Sequence, residues 1–254
     1  MNRKQFIFTL CLLFCSVAVV TPARAQEAMN RPYVDDQLFH FGFQLGMNFG
    51  SFGVTNAEIP VKMEGQMDTI HARVSSLMPG FHLGFITDLR LCRYLNLRFC
   101  PGLMFSMRTI DYKSASPDHE VKDEAYKLGN RIDVLTMPLN LPLYLKWSAA
   151  REGNYRPYVI AGGGFSVNLS HFFAFDKPIL LNKYDYFAEI GFGCDFYHDW
   201  FKFCPEITYR IGFANQLCPS DKHPGLGPDD TRAFYTDAIS RLTSHTICLT
   251  FNFE

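Results

Sequence analysis

A twelve-residue segment near the start of the chain, residues 39–50, alternates strictly between large apolar residues and small or polar ones. Its odd positions are Phe39, Phe41, Phe43, Leu45, Met47 and Phe49, and its even positions are His40, Gly42, Gln44, Gly46, Asn48 and Gly50. A period of two predicts a β-strand with one apolar and one polar face. The apolar face could pack on a soluble core. Phenylalanines opposite glycines and amides favour instead a strand with its apolar side toward lipid and its polar side lining a barrel.

Seven further segments are predicted as strands, most of them with the same alternation. They cover residues 80–90, 95–108, 134–147, 158–168, 184–197, 201–213 and 246–253. Because proline cannot donate to a ladder, Pro138 and Pro142 predict a bulge or local fraying in the fourth strand of the series. Connections after the first, third, fifth and seventh strands are long and the others short, which is typical of outer-membrane barrels. The sequence therefore predicts an all-β protein, a transmembrane antiparallel up-and-down β-barrel of eight strands, with ten as the alternative.

The first 25 residues have the pattern of a signal peptide. Arg3 and Lys4 precede an apolar run over residues 6–20, and Ala-Arg-Ala at 23–25 supplies a small-x-small cleavage site. A transmembrane anchor is the alternative, but the run is short and a cleavage site follows it. The predicted organisation is a signal peptide at 1–25, a polar periplasmic tether at 26–38 and a barrel at 39–254. The barrel would lie in the outer membrane of a Gram-negative cell with both termini periplasmic.

The charge of the exported chain excludes one class of partner. Removal of the signal peptide lowers the 24 basic residues to 21 and leaves all 25 acidic residues, a formal charge of −4. No basic patch or tail indicates nucleic acid. Beyond the signal peptide, no apolar run approaches the length of a transmembrane helix.

Six cysteines remain after processing: Cys92, Cys100, Cys194, Cys204, Cys218 and Cys248. An even count in an exported protein is compatible with disulfides, but most of these cysteines fall inside predicted strands. We expect mostly free, buried thiols, with Cys204–Cys248 as the pair to test first. No cysteine or histidine spacing indicates a metal site, and no cofactor is expected.

Aromatic residues are predicted to form a girdle at the periplasmic end, where such belts occur. The members of this predicted girdle are Tyr94, Trp147, Tyr197 and Trp200.

Charged residues of both signs are predicted on the inward face. The principal ones are Asp88, Arg98, Arg108, Lys146, Glu189, Asp195, Glu206 and Arg210. Eight strands enclose a lumen that side chains fill, so this mixture predicts a structural ion-pair network rather than a water channel. The alternative is a proton or ligand site formed by four of them, Arg98, Glu189, Glu206 and Arg210.

Catalysis has little support in the sequence, and we expect no enzymatic activity. A lipid hydrolase would need a serine, a histidine and an acid near the outer rim. Ser166, Ser170 and His171 lie near the outer end of the fifth predicted strand, without a nucleophile motif.

The strand segments include PGFHLGF at 79–85 with LRL at 89–91, PLNLPLYLK at 138–146, YDYFAEIGFGCDFY at 184–197, FKFCPEI at 201–207, YTDAISRL at 235–242 and FNFE at 251–254. Together these segments resemble the PorT family of outer-membrane β-barrel proteins.

The resemblance implies an accessory component of type IX protein secretion, the system that carries folded cargo with a C-terminal signal across the outer membrane. An eight-stranded barrel is too narrow for folded cargo, so the implied role acts through protein partners of the secretion machinery. Two other functions stay open. One is a structural, ligand-binding or partner-binding role through the extracellular loops, and the other is an outer-membrane lipid hydrolase.

Overall fold

The computed structural model describes residues 29–57, 61–63, 66–68, 70–74, 78–114, 131–172, 179, 181–218, 236 and 238–254. The predicted signal peptide lies outside these residues. The strands are β1 (Phe39–Asn56), β2 (Val61–Met63), β3 (Gln66–Asp68), β4 (Ile70–Val74), β5 (Met78–Arg90), β6 (Leu95–Phe99), β7 (Gly102–Ser114), β8 (Arg131–Thr136), β9 (Pro138–Ser148), β10 (Tyr155–Asn168), β11 (Tyr184–Tyr197), β12 (Lys202–Gly212) and β13 (Ile239–Phe253). Two short 3-10 helices span Val34–Asp36 and Leu169–Phe172. No helix among these residues is long and apolar enough to cross a membrane.

The main sheet closes on itself into an antiparallel ring. β1 pairs with β13 on one side and with β5 on the other, and Phe43 lies opposite both Phe253 and Phe85. From β5 the ring continues through β6 and β7, then β8 and β9, then β10, β11, β12 and β13. Because β6 with β7, and β8 with β9, each form one wall segment, the barrel has eight strands. This count confirms the sequence prediction.

Two wall strands that the sequence predicts as continuous are interrupted beside prolines. The first interruption lies at Cys100 and Pro101, between β6 and β7, and the second at Met137, before Pro138. A proline nitrogen has no hydrogen to donate to the ladder, although the carbonyl of Pro101 accepts a hydrogen bond of 2.9 Å from the amide of Phe85. Pro142, by contrast, stays inside β9, opposite Gly164.

The two faces of the barrel wall are inverted relative to a soluble protein. Phe41 and Phe85 on the outer face are 69% and 71% exposed, whereas Asn48 and Asp88 on the inner face are 0% exposed. An apolar exterior around a polar interior is the arrangement of a barrel whose surrounding solvent is lipid.

The strands are longer than a bilayer requires on the side of the long connections. β1 has 18 residues, whereas about 9–11 tilted residues span a membrane. At this end β4 pairs with β7, and β7 pairs with β8. A cluster of buried apolar residues, here called the apolar cap, fills the interior there. Its members are Phe52, Ala72, Ile110, Tyr112, Val134, Ile179, Leu181, Leu217, Ala238, Ile239 and Leu242.

Candidate functional site: the barrel lumen and its two ends

The end of the lumen nearest the short turns holds a charged cluster, here called the lower network. Its members are Asp88, Arg98, Lys146, Asp195, Lys202, Glu206 and Glu254. Parity turns their side chains inward, because each follows or precedes an outward apolar residue on its strand. They come from β5, β6, β9, β11, β12 and the end of β13, with Lys202 and Glu206 both on β12, so barrel closure brings them together.

Arg98 is the centre of the lower network and is 1% exposed. Its guanidinium donates to Asp88 at 3.0 and 3.1 Å and to Glu254 at 2.6 Å. It also lies 3.5 Å from Glu206, which accepts a hydrogen bond of 2.8 Å from the hydroxyl of Tyr158. One buried cation therefore joins three carboxylates on three wall strands.

Two lysines complete the lower network. Lys146 donates to both carboxylate oxygens of Asp195 at 2.9 and 2.8 Å, and its ammonium lies 4.0 Å from the centre of the Tyr158 ring. Lys202 pairs with Glu254. Burying unpaired charge is costly, and these pairings remove that cost.

A second ion pair lies further along the lumen. Arg210 donates to Glu189 at 2.8 Å, and the hydroxyl of Tyr144 donates to the same oxygen of Glu189 at 2.8 Å. The Arg210 guanidinium also packs 4.0 Å from the ring centre of Phe187.

Arg108 lies further still, below the apolar cap. It donates to Ser244 at 2.9 Å and to Thr246 at 3.4 Å, and its guanidinium lies 4.8 Å from the ring centre of Phe52. No carboxylate of the described residues lies within 4.0 Å of it.

The structure thus places all eight predicted inward residues in the lumen, in three separate groups rather than one. The predicted alternative site is not a single cluster: Arg98 and Glu206 belong to the lower network, whereas Glu189 and Arg210 form the second pair. The sequence interpretation missed Glu254, whose side chain is 2% exposed. Strand parity carried the signal, because Phe253 faces outward and the next residue must face inward.

The periplasmic end of the lumen is covered by residues 29–38, here called the N-terminal segment. Asp35 accepts a hydrogen bond of 2.8 Å from the hydroxyl of Tyr197 and lies 3.6 Å from both Arg151 and Arg156. The backbone amide of Asn30 donates to the side-chain oxygen of Asn154 at 2.8 Å. Where the sequence predicts a polar tether, the structure has a segment bonded across the barrel mouth.

The prediction that Tyr197 belongs to the aromatic girdle is wrong. Trp147 and Trp200 are 65% and 91% exposed, but Tyr197 is 2% exposed and lies under the Arg151 guanidinium, 3.5 Å from its ring centre. The outward residues of β11 are the even ones, so Tyr197 faces the lumen even though it lies at the rim.

Side chains occupy most of the lumen that the structure describes. One cavity lies between Arg108, Arg210 and Asn140, and a second lies between His82, Tyr144 and Glu206; each has a volume of about 30 Å³. A volume of that size holds about two water molecules. Several buried polar atoms next to these cavities, including Nδ1 of His82 and Oδ1 of Asn140, have no hydrogen-bond partner in the part of the chain that the structure describes.

The serines of the predicted Ser-His neighbourhood are not at the lipid surface. Ser166 is 7% exposed and lines the lumen cavity beside Arg108, and Ser170 is 3% exposed. The side chain of His171 lies outside the described residues. A lipid ester bond in the membrane could reach the Ser166 hydroxyl only by entering the barrel.

The cysteine pair predicted for testing does not form. Cys204 lies opposite Asn252, and Cys248 lies opposite Thr208. The two cysteines are therefore offset by about 13 Å along their strands, at about 3.3 Å per residue, which is beyond the reach of a disulfide. Cys92, Cys100, Cys194, Cys204 and Cys248 are free thiols. Among the residues that the structure describes, no group of three or more histidine, cysteine or acidic side chains could hold a metal ion.

A family model, the outer membrane protein beta-barrel domain, matches residues 24–217 of the chain. The chain belongs to this family of outer-membrane barrels. The match and the inverted faces together establish that the protein lies in the outer membrane. No curated protein sequence matches the chain.

Solved structures similar to this family member include two outer-membrane proteins. One is the attachment invasion locus protein Ail of Yersinia pestis, solved in complex with the heparin analogue sucrose octasulfate. Its identity is 9%, its TM-score is 0.34, and the alignment covers 85% of this chain and 99% of Ail. The other is OprG of Pseudomonas aeruginosa, with 10% identity, a TM-score of 0.40, and coverage of 91% of this chain and 96% of OprG.

Proposed function

We propose that this outer-membrane barrel is an accessory component of protein secretion, of the type IX kind, which acts by binding partner proteins rather than by conducting cargo. The observation that carries the proposal is the filled lumen. Cavities of about 30 Å³ hold water molecules, not a polypeptide. The resemblance to the PorT family implies that these partners are proteins of the secretion machinery.

The periplasmic face offers a surface for such partners. Trp200, in the turn between β11 and β12, is 91% exposed, and Tyr33 of the N-terminal segment is 78% exposed. Exposed tryptophan and tyrosine are the residues that most often dominate protein interfaces. Both side chains lie at the end of the barrel with the short turns, on the side where an exported cargo arrives.

Deletion of the gene tests the proposal directly. Surface delivery of cargo with a C-terminal secretion signal is expected to fall, and normal delivery would rule the role out. In a second arm, Trp200→Ser is expected to reduce co-purification of the barrel with secretion components. Trp147→Ser is the matched control, because Trp147 is exposed on the barrel wall rather than in a turn. Equal loss in both variants would place the contact elsewhere.

A second candidate function is ligand or partner binding through the extracellular loops. The apolar cap favours it, because residues such as Ile110 and Leu242, both 0% exposed, give the long connections a packed base. Replacing residues 115–130 by a glycine-serine linker would abolish surface binding under this alternative and would leave cargo delivery intact.

The hypothesis of a lipid hydrolase can be tested separately. Because Ser166 faces the lumen, Ser166→Ala is expected to leave the lipid A profile unchanged in mass spectra of the outer membrane. An equal amount of folded barrel, seen as heat-modifiable migration on a gel, is the control. A lipid A profile that differs between the variant and the wild type would instead support the hypothesis of a lipid hydrolase.

A further inference from the structure

Arg108 differs from the other lumen cations in its partners. Arg98, Lys146, Lys202 and Arg210 each pair with a carboxylate. Arg108 is 4% exposed, its hydrogen-bond acceptors among the described residues are the hydroxyls of Ser244 and Thr246, and its guanidinium packs on the Phe52 ring. Its Nε atom has no hydrogen-bond partner among the described residues. A buried guanidinium without a counter-charge is unfavourable, and none of the described residues places a carboxylate within ion-pair distance of Arg108.

The cavity next to Arg108 has the lining that an anion requires. Side chains that can donate hydrogen bonds surround it, among them Asn140, Ser166, Ser244 and Thr246, and Arg210 lies on its wall. Its volume of about 30 Å³ holds about two water molecules, which is enough for one small inorganic anion with a water molecule beside it. Asn182 also lines it and is exposed, so the cavity adjoins the protein surface.

One carboxylate on the cavity wall competes with this interpretation. Asp185 lies beyond ion-pair distance of Arg108, and its oxygens accept hydrogen bonds from Gln216 at 2.7 Å and from the amide of Ala214 at 3.2 Å. A water molecule between Arg108 and Asp185 would be the alternative occupant. Because Asp185 already has two donors on its own side of the cavity, a separate anion beside Arg108 is the better match.

We propose that the upper lumen cavity binds one small inorganic anion of the halide class, with Arg108 as its counter-charge and Ser244 and Thr246 as neighbouring donors. The anion neutralises the guanidinium and ties β7 to β13. This site is independent of any secretion partner.

Halide-dependent stability is the first test. The folded barrel in detergent micelles is unfolded by urea in chloride or in gluconate of equal ionic strength. Raising chloride from about 1 mM to about 100 mM is expected to increase the folding equilibrium constant about tenfold or more, because a ligand that binds only the native state stabilises it by mass action. Arg108→Gln is expected to remove the chloride dependence. Arg90→Gln, at an exposed ion pair with Asp36, is expected to retain it.

Two further variants keep the proposal falsifiable if Arg108→Gln fails to fold. Ser244→Ala is expected to weaken the chloride effect while leaving the charge in place. Asp185→Asn is expected to preserve or strengthen it. Loss of stability in Asp185→Asn with no chloride effect in the wild type would identify Asp185 as the counter-charge and overturn the proposal.

Bromide locates the ion. Crystals soaked in bromide are expected to show an anomalous peak beside Arg108 in the wild type and none there in Arg108→Gln. A wild-type map without a peak in this cavity, together with chloride-independent unfolding, would also overturn the proposal.

Discussion

Most charged residues that face the lumen lie next to a group of opposite charge, because burying an unpaired charge is unfavourable. In the lower network each cation contacts at least one carboxylate, and the hydroxyls of Tyr144 and Tyr158 supply further donors to acidic partners. Inward glycines leave the room that these side chains need. A Cβ atom at Gly46 would lie 2.4 Å from the His82 ring, so His82 can reach across to Thr250, 3.0 Å away, only because position 46 has no side chain.

Arg98→Met is expected to destabilise the barrel by about 3–5 kcal/mol, since it leaves buried carboxylates without their cation. Urea unfolding in micelles, followed by tryptophan fluorescence, measures the change. Arg90→Met is the matched control, because the Arg90–Asp36 pair is exposed and is expected to contribute about 0–1 kcal/mol. Similar losses in the two variants would contradict a central role for Arg98.

At the scale of elements, strands β1 and β13 close the barrel in a definite register. In an up-and-down barrel the first and last strands meet, and the sequence predicts that Phe39 lies near Phe253 there. The strands do pair, but Phe43 rather than Phe39 lies opposite Phe253, with ring centres 5.0 Å apart. Phe39 pairs instead with Leu89 of β5, because β1 begins further toward the periplasm than β13 ends.

The register can be checked by crosslinking. In a background whose own cysteines are replaced by serine, Met47→Cys with Leu249→Cys is expected to form a disulfide, because directly opposed residues have Cα atoms about 4.5–5.5 Å apart. Met47→Cys with Phe251→Cys is the shifted control and is expected to stay reduced. Crosslinking of the shifted pair alone would show a different register.

Asp35 makes three of the side-chain contacts that hold the N-terminal segment at the barrel mouth. Asp35→Ala is expected to cost about 1–3 kcal/mol of local stability, since Tyr197 and two arginines lose their acceptor. Backbone amides of residues 34–37 should then exchange with deuterium about tenfold faster or more, a change measurable by mass spectrometry. Asp36→Ala, whose partner Arg90 is partly exposed, should have little effect. Unchanged exchange in Asp35→Ala would mean that other contacts hold the segment.

At the scale of the whole molecule, the lumen is bounded at both ends of the described structure. The N-terminal segment lies across the periplasmic mouth, and the apolar cap fills the opposite end. Between them lie ion pairs and cavities of about 30 Å³. The lumen of such a barrel is filled by side chains, and its contacts with other proteins are expected on its outer surfaces.

Purified barrel in a planar bilayer is accordingly expected to show no stepwise ion conductance of the porin type, because porins have many more strands and an open lumen. A true porin reconstituted in the same membranes is the positive control. Regular conductance steps from the wild type would contradict the closed lumen. Steps that appear only when residues 29–38 are removed would show that the N-terminal segment seals the mouth.

The sequence by itself determined the class of fold, the strand order and which residues face inward. It could do so because strand parity is local: a period of two assigns Asp88, Arg98 and Glu206 to the inner face from their immediate neighbours alone. The same rule would have placed Tyr197 and Glu254 correctly. Tyr197 was assigned to the girdle from its position at the strand end, without regard to parity. The prediction of inward residues did not include the last residue, Glu254.

Only the tertiary structure decided which inward residues meet. Arg98 and Glu254 are separated by 156 residues, and their contact depends on the register of every strand between them, on the breaks at Pro101 and Pro138, and on closure of the ring. The closed ring also decides three other features. It keeps Cys204 and Cys248 too far apart for a disulfide, it gives the N-terminal segment its partners at the barrel mouth, and it leaves Arg108 without a carboxylate beside it among the described residues. Alternation fixes the face of a residue, whereas its height in the barrel and its partner across the lumen depend on the closed ring as a whole.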